Sequence, residues 1–127
     1  MKLVLFGSLR GQQSMSRFAR ALAVALGAAA PEAEVAVVPP PGFPRRPFHW
    51  RKYVSYQRAA RGWAGAVNHV VDHGYGHLVS ALPAMSAVVT VHDMGPLWSG
   101  RGRFRGREGG VRAALAYRWS LRAMRRA

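Results

Sequence analysis

The chain of 127 residues contains no cysteine, which excludes a disulfide scaffold and any zinc site built from thiolates. It also lacks an apolar run of the roughly 18 residues that a membrane-spanning helix needs. The apolar run at the start, Leu3–Phe6, is too short for a secretory signal and stops at Gly7. We therefore expect a cytoplasmic protein.

Acidic residues are scarce, because five Asp and Glu stand against 19 Lys and Arg and leave a formal net charge of +14. The basic residues lie in two segments: residues 45–61 hold six and no acid, and residues 101–127 hold nine and one acid. Between them, residues 62–100 hold two aspartates and no Lys or Arg. A charge this high is typical of nucleic-acid-binding proteins, but it is confined to these two segments, and the excess of arginine among alanines and glycines also fits a GC-rich coding sequence.

Short β-branched runs alternate with amphipathic segments, which predicts an α/β fold: a Rossmann-like open, mostly parallel sheet with flanking helices in a single domain, 1–127. The predicted strands are Lys2–Phe6, Val35–Val38, Gly65–Val71 and Ala87–Val91. We interpret the last as a buried central strand. One helix is predicted after Ser14 as its N-cap, and another over Val111–Arg126. Since the alternation calls for a further strand, we expect the domain to be incomplete.

Polar side chains follow the third and fourth predicted strands. Asp72, His73 and His77 come after the third, and His92 and Asp93 come after the fourth. The carboxyl ends of parallel strands share one edge of the sheet, where ligands bind in open α/β folds. A histidine there can act as a general base that a nearby carboxylate orients. The alternative is that these residues only cap the strand ends.

A glycine-containing loop, residues 7–14, follows the first strand and leads to the same edge. Its free backbone N–H groups and the helix start behind it could hold an anion, although the loop is neither G-x-G-x-x-G nor a P-loop. A plain structural turn is the alternative. The candidate ligand-binding residues of the loop are Gly7, Gly11, Gln12, Gln13 and Ser14.

Other site chemistries have less support. His69, His73 and His77 are spaced as metal ligands would be on one helix, but a strand through His69 breaks that pattern, so we predict no metal. A G-x-S-x-G elbow is absent from the sequence, and the three glutamates lie away from the predicted strand ends.

Both basic segments allow two interpretations. Residues 45–61 interleave cations with Phe48, Trp50, Tyr53 and Tyr56, and the last helix sets arginines opposite an apolar stripe. Such patterns can bind nucleic acid or anionic lipid. They also suit surface helices that dock by their apolar residues and leave the cations in solvent, and we favour that interpretation for both.

The stretches VVDHGYGHLVSALP and VVTVHDMGPLW resemble the amino-terminal half of group 1 glycosyltransferases, retaining, nucleotide-sugar-dependent enzymes of GT-B fold. The opening strand, its glycine loop and the following helix also lie where that family places its acceptor-side loop. The matching residues are Asp72, His73, His77, Leu78, Thr90, Val91, His92, Asp93 and Pro96.

This resemblance implies that the chain forms the acceptor side of a cleft, with His92 at the reaction centre and Asp93 beside it. Asp72, His73, His77 and the loop residues would then bind substrate. It implies a nucleotide-sugar donor, held mostly by a second domain absent from these 127 residues, a sugar acceptor, and no metal or other cofactor. The basic flanks would suit an enzyme working peripherally at the inner face of a membrane, with nucleic acid the less favoured partner. The alternative function is a basic binding module for nucleic acid or anionic membrane.

Overall fold

The structure, a computed structural model, describes residues 1–7, 13–41, 51–92 and 111–127. Within these ranges no helix is both long and apolar enough to cross a membrane. The predicted strands and helices are all present, with shifted ends. The elements are β1 (Lys2–Phe6), α1 (Gln13–Ala29), β2 (Glu34–Val38), a π-helical turn (Arg51–Ser55), α2 (Tyr56–Trp63), β3 (Val67–Val70), a 3₁₀ helix (His73–Ala81), β4 (Ala87–Val89) and α3 (Val111–Met124).

The four strands form an open, all-parallel sheet in the order β2-β1-β3-β4, which confirms the predicted α/β class. β1 pairs along its whole length with β2 and from Leu3 onward with β3, so that Val4 lies opposite both Ala36 and Asn68. The first strand in sequence is therefore an interior strand of the sheet.

Side chains alternate along β1 and divide the core in two. Leu5 joins Val71 and Ala19 under α1 on one face. Val4 and Phe6 point to the other face, where α2, the 3₁₀ helix and α3 pack. The chain moves one way along the sheet from β1 to β2 and the opposite way from β2 to β3 and β4. Right-handed connections running in opposite directions must lie on opposite faces, as these do.

The expectation of a buried central strand at Ala87–Val91 is wrong in two respects. Regular pairing covers only Ala87–Val89, and in the part of the chain that the structure describes β4 is the edge of the sheet. Val88 and Val91 are consequently about half exposed. A β-branched run signals a strand, but its place in the sheet depends on the other strands.

The aromatic residues of the π-helical turn and α2 are part of the core. Tyr53 is 5% exposed and Tyr56 is fully buried, with its ring against Phe6. These two tyrosines thus confirm the interpretation of a helix docked by its rings. Phe48 and Trp50, like the predicted loop at 97–110, lie outside the described residues.

The 3₁₀ helix is held between α2 and α3. Gln57 of α2 donates from Nε2 to the carbonyl of His77 at 2.8 Å and to Ser80 Oγ at 2.9 Å. On the opposite side, the chain at Gly76 lies so close to Met124 that a Cβ would fall 2.7 Å from Met124 Cγ. A side chain at position 76 would therefore displace the Met124 side chain where α3 crosses the 3₁₀ helix.

Helix α3 docks through small residues. Ser120 and Ala123 are both 3% exposed, and two residues of the predicted apolar stripe, Leu121 and Met124, are partly buried beside them. Small side chains allow the helix axis to approach its neighbour closely, so the docked side of the helix includes residues that hydropathy alone does not single out.

Asn68 ties together the turns that precede β3 and β4. Its fully buried side chain accepts from the Gly65 N–H and donates to the Gly65 carbonyl, both at 2.9 Å. It also donates to Ser86 Oγ at 3.0 Å. A buried amide with all these bonds costs little to bury, and it fixes where both strands begin.

We expect Asn68→Ala to lower the free energy of unfolding by about 2 kcal/mol or more, because it leaves the part-buried N–H and carbonyl of Gly65 without these partners. Ser86→Ala is the control: it removes one bond of Asn68 and the exposed bond from Ser86 Oγ to the Pro83 carbonyl, and it should cost less than about 1.5 kcal/mol. Urea unfolding measures both. Equal losses in the two variants would contradict the role given to Asn68.

Candidate functional site

The strand order creates a crevice at the carboxyl edge of the sheet. The chain reverses direction between β1 and β3, and ligands of open α/β folds bind where this reversal occurs. Gly7 directly follows β1, and Val71 and Asp72 directly follow β3. Of the predicted site residues, Gly7 and Asp72 therefore lie at the place that the topology favours.

Gly7 is a glycine because β1 and β3 leave no room for a side chain at this point. A Cβ on Gly7 would overlap the Cγ2 methyl of Val71, whose backbone N–H donates to the Phe6 carbonyl at 2.8 Å. From beneath, the Tyr56 hydroxyl donates to the Val38 carbonyl at 2.9 Å and takes a hydrogen bond from the backbone of Gly7. Burial strongly raises the pKa of Tyr56, so this hydroxyl stays protonated.

His92 reaches back from the β4 side to the same crevice. Its Nε2 lies 2.8 Å from the Val71 carbonyl oxygen, and its ring stands edge-on to Phe18 of α1, with centroids 5.0 Å apart. Because a carbonyl only accepts, Nε2 must carry the proton. Nδ1 has no hydrogen-bond partner among the described residues and lies on an exposed side chain. The imidazole is thus oriented by protein and has one nitrogen left for a ligand.

A second histidine lies behind His92 on the α1 face. His69 Nε2 is 2.7 Å from Thr90 Oγ1, which joins β3 to the exit of β4. Burial lowers the pKa of His69, and the neighbouring charge of His92 lowers it further. Both effects favour the neutral form of His69, and its contact with Thr90 holds the segment that carries His92.

Asp72 and His73 serve the start of the 3₁₀ helix. Asp72 Oδ1 accepts from the Gly74 N–H at 2.8 Å, as an N-cap does. His73 Nδ1 lies 4.0 Å from the same oxygen, and both residues are buried. Within the fold Asp72 acts as a cap, as in the alternative interpretation of the strand-end residues.

His77 does not lie at the carboxyl edge with the other predicted residues. It is fully buried on the opposite face from His92, among Tyr53, Tyr75 and Trp119, with ring centroids 4.6, 6.3 and 6.0 Å away. The expectation that all the strand-end histidines meet at one edge is not met. Little more than one turn of 3₁₀ helix carries His77 down beside the sheet, where its ring lies against Trp119 of α3.

The remaining predicted residues are only partly within the described ranges. α1 begins at Gln13, so Ser14 lies exposed in its first turn rather than before it. Gly11, Gln12 and Asp93 lie outside the described residues. Among the described residues, the structure thus brings together Gly7, Asp72 and His92.

In the ranges that the structure covers, no group of three or more His, Cys, Asp or Glu side chains could hold a metal ion. His69 and His77, which helical spacing would stack, lie on opposite faces of the sheet. Within these ranges the site offers instead a single oriented imidazole and backbone groups at a strand edge.

Three contributors to the site were not identified from sequence: the Val71 carbonyl, the Phe18 ring and the His69–Thr90 pair. Backbone carbonyls leave no sequence signal. Side chains alternate along β3 and β4, so the correct register of these two strands places His69, Thr90 and His92 on one face of the sheet. The contact between His69 and Thr90 could therefore have been predicted from that register.

These features define an open parallel α/β domain with helices on both faces and an oriented histidine at its carboxyl-edge crevice. No family model, curated protein or solved structure matches the chain. The fold class and the site geometry are therefore the basis for inferring function.

The close approach at Gly7 predicts a specific coupling. Gly7→Ala should lower the free energy of unfolding by about 1–3 kcal/mol, because Val71 must move to admit the methyl group. In Gly7→Ala/Val71→Ala the overlap is removed, so the combined loss should be smaller than the sum of the single losses by about 1 kcal/mol. Urea unfolding of the four proteins measures this coupling, and strictly additive losses would show that the two residues do not collide.

The environment of His69 predicts a pH dependence. In the unfolded chain its pKa is near the ordinary 6.5, and in the folded protein it is lower. The unfolded state therefore binds more protons as the pH falls below 6.5, so stability present above that pH is lost on acidification through the folded pKa.

Wild type should consequently lose more stability than His69→Asn between neutral and acidic pH, as measured by chemical denaturation. As a control, NMR titration of the His69 ring in His92→Gln should show a higher pKa than in wild type, since one depressing charge is gone. A folded His69 pKa at or above 6.5 would contradict the assignment.

Proposed function

We propose that this domain is the acceptor side of a retaining, nucleotide-sugar-dependent glycosyltransferase of GT-B type, with His92 at the reaction centre. The observation that supports this most directly is the position of His92. The chain order brings its oriented imidazole to the β1–β3 crevice, where open α/β domains bind ligands. The motif resemblance around Asp72–Leu78 and Thr90–Pro96 adds the reaction class.

In this proposal His92 binds the hydroxyl of the acceptor sugar. Its Nε2–H is held by the Val71 carbonyl, and its Nδ1 accepts from that hydroxyl when the ring is neutral. Phe18 and the carbonyl fix the plane of the ring, so little orientation freedom is lost when the acceptor arrives. Asp93, which lies outside the described residues, would act beside it.

Gly7 would contact the acceptor at the end of β1, where its close approach to Val71 fixes the backbone that holds His92. In the proposal, Gly11, Gln12 and Gln13 also bind the substrate. Asp72 and His73 would shape the crevice floor through the 3₁₀ helix start rather than through free side chains, because both are buried.

The proposed donor side requires groups that balance the charge of the departing nucleoside diphosphate. The 127 residues amount to about one domain, so a second domain or a partner chain would supply those groups. We therefore predict that this chain binds the acceptor by itself, and this can be tested without the donor side.

The alternative, a nucleic-acid module that stacks bases on the aromatic rings of residues 45–61, has less support. Stacking requires open ring faces, and Tyr53 and Tyr56 are buried. The burial of these two rings therefore argues against base stacking on them.

We expect methyl glycosides and short oligosaccharides, titrated into the isotope-labelled chain, to shift the NMR signals of Gly7 and His92. His92→Gln should abolish these shifts, because glutamine can still donate to the Val71 carbonyl but offers no imidazole Nδ1. The fold should remain, so the loss would report the ligand contact.

Val91→Ala is the matched control, since Val91 is the neighbouring half-exposed residue and carries no polar atom. It should retain sugar binding. The proposal is overturned if every sugar tested leaves the Gly7 and His92 signals unchanged, or if His92→Gln binds sugar as wild type does.

A further inference from the structure

The outer side of α3 is strongly basic. Arg118, Arg122, Arg125 and Arg126 are all exposed, and residues 111–127 contain no acidic residue. Within the described part of the chain, none of these arginines has a carboxylate within ion-pair distance. We call the exposed residues Leu115, Arg118, Trp119, Arg122, Arg125 and Arg126 the α3 outer face.

Among the residues that the structure describes, the charge is distributed unequally between the two sides of the sheet. α2, which packs on the same side as α3, adds exposed Arg58 and Arg61. On the opposite side, α1 carries exposed Arg17 and Arg20, and the turn after it leads to the exposed acids Glu32 and Glu34. A flat anionic surface would thus be attracted to the α3 side, because like charges are concentrated there.

Apolar side chains stand among these arginines. Leu115 is 58% exposed and Trp119 is 39% exposed. Leu115, Trp119, Arg122 and Arg126 recur at spacings of four, three and four residues and so follow one side of the helix. The α3 outer face therefore combines exposed apolar surface with cations along one side of the helix.

Trp119 is held in place by the core. Its ring stacks on Tyr53 with centroids 5.7 Å apart, while part of it remains open to solvent. A tryptophan with one side packed and the other exposed is typical of residues at a membrane interface, where the ring lies at the headgroup level. The docking of α3 by Ser120 and Ala123 therefore leaves the opposite side available for contact.

We propose that the α3 outer face binds the surface of a bilayer that contains anionic lipids. The arginines contact lipid phosphates, and Leu115 with the exposed part of Trp119 enters the headgroup region. A lipid surface explains the apolar residues, which a nucleic-acid backbone does not. This inference stands on α3 alone and does not depend on the sugar-binding role of His92.

The test is sedimentation of the full 127-residue chain with phosphatidylcholine vesicles that contain or lack phosphatidylserine. We expect binding only when phosphatidylserine is present, and a decrease as salt is added. Arg122→Gln/Arg126→Gln should weaken binding about 20-fold, since each arginine near such a surface contributes about fivefold. Leu115→Gln should weaken binding several-fold without changing the net charge.

Two matched controls lie on α1. Arg17→Gln/Arg20→Gln removes the same charge from the opposite side of the protein, and Val24→Gln changes a side chain that is 74% exposed. Both should bind vesicles as wild type does. Because all the altered residues are exposed, circular dichroism and thermal unfolding should show unchanged folds.

Two results would overturn the proposal. The first is equal loss in the α1 and α3 arginine variants, which would mean that net charge alone drives binding. The second is binding to duplex DNA or RNA that falls in the α3 variants while Leu115→Gln has no effect on vesicles, which would assign the face to nucleic acid. Sugar titrations of the α3 variants should match wild type, so this test is separable from that of the acceptor site.

Discussion

The pairing of β1 with strands on both sides is the constraint on which the rest of the structure depends. Lys2–Phe6 hydrogen-bonds with β2 on one edge and with β3 on the other, so the chain must leave β1 in one direction and return past it in the other. This single reversal puts α1 and the other helices on opposite faces, and it places the candidate crevice at the carboxyl edge of β1 and β3.

The same constraint separates the histidines. Alternation along β3 and past the end of β4 turns His69 and His92 toward α1, while the 3₁₀ helix takes His77 to the other face. The imidazole of His92 is oriented at the carboxyl edge, and that of His77 packs against aromatic rings under α3. Residues that are close in sequence therefore have different tasks, because the sheet lies between them.

The distribution of charge is consistent with two separate surfaces. The crevice contains a carboxyl group, imidazoles and backbone atoms, and its described part has no Lys or Arg side chain. The exposed arginines lie mainly on the helices of the α3 side. A domain that binds a neutral hydroxyl at one edge and an anionic surface elsewhere would keep its cations away from the first site, since they would attract competing anions.

By itself, the sequence determined the α/β class, the order of strands and helices, and Gly7, Asp72 and His92 as residues at strand ends, because periodicity and chain breaks are local properties. Only the tertiary structure decided that β4 is at the edge of the described sheet, that His77 is buried, and that α3 docks through Ser120 and Ala123. The hydrogen bond from His92 to the Val71 carbonyl joins residues 21 positions apart. Such contacts depend on which strands pair and which small residues allow close approach, and neither is encoded in any one segment of the chain.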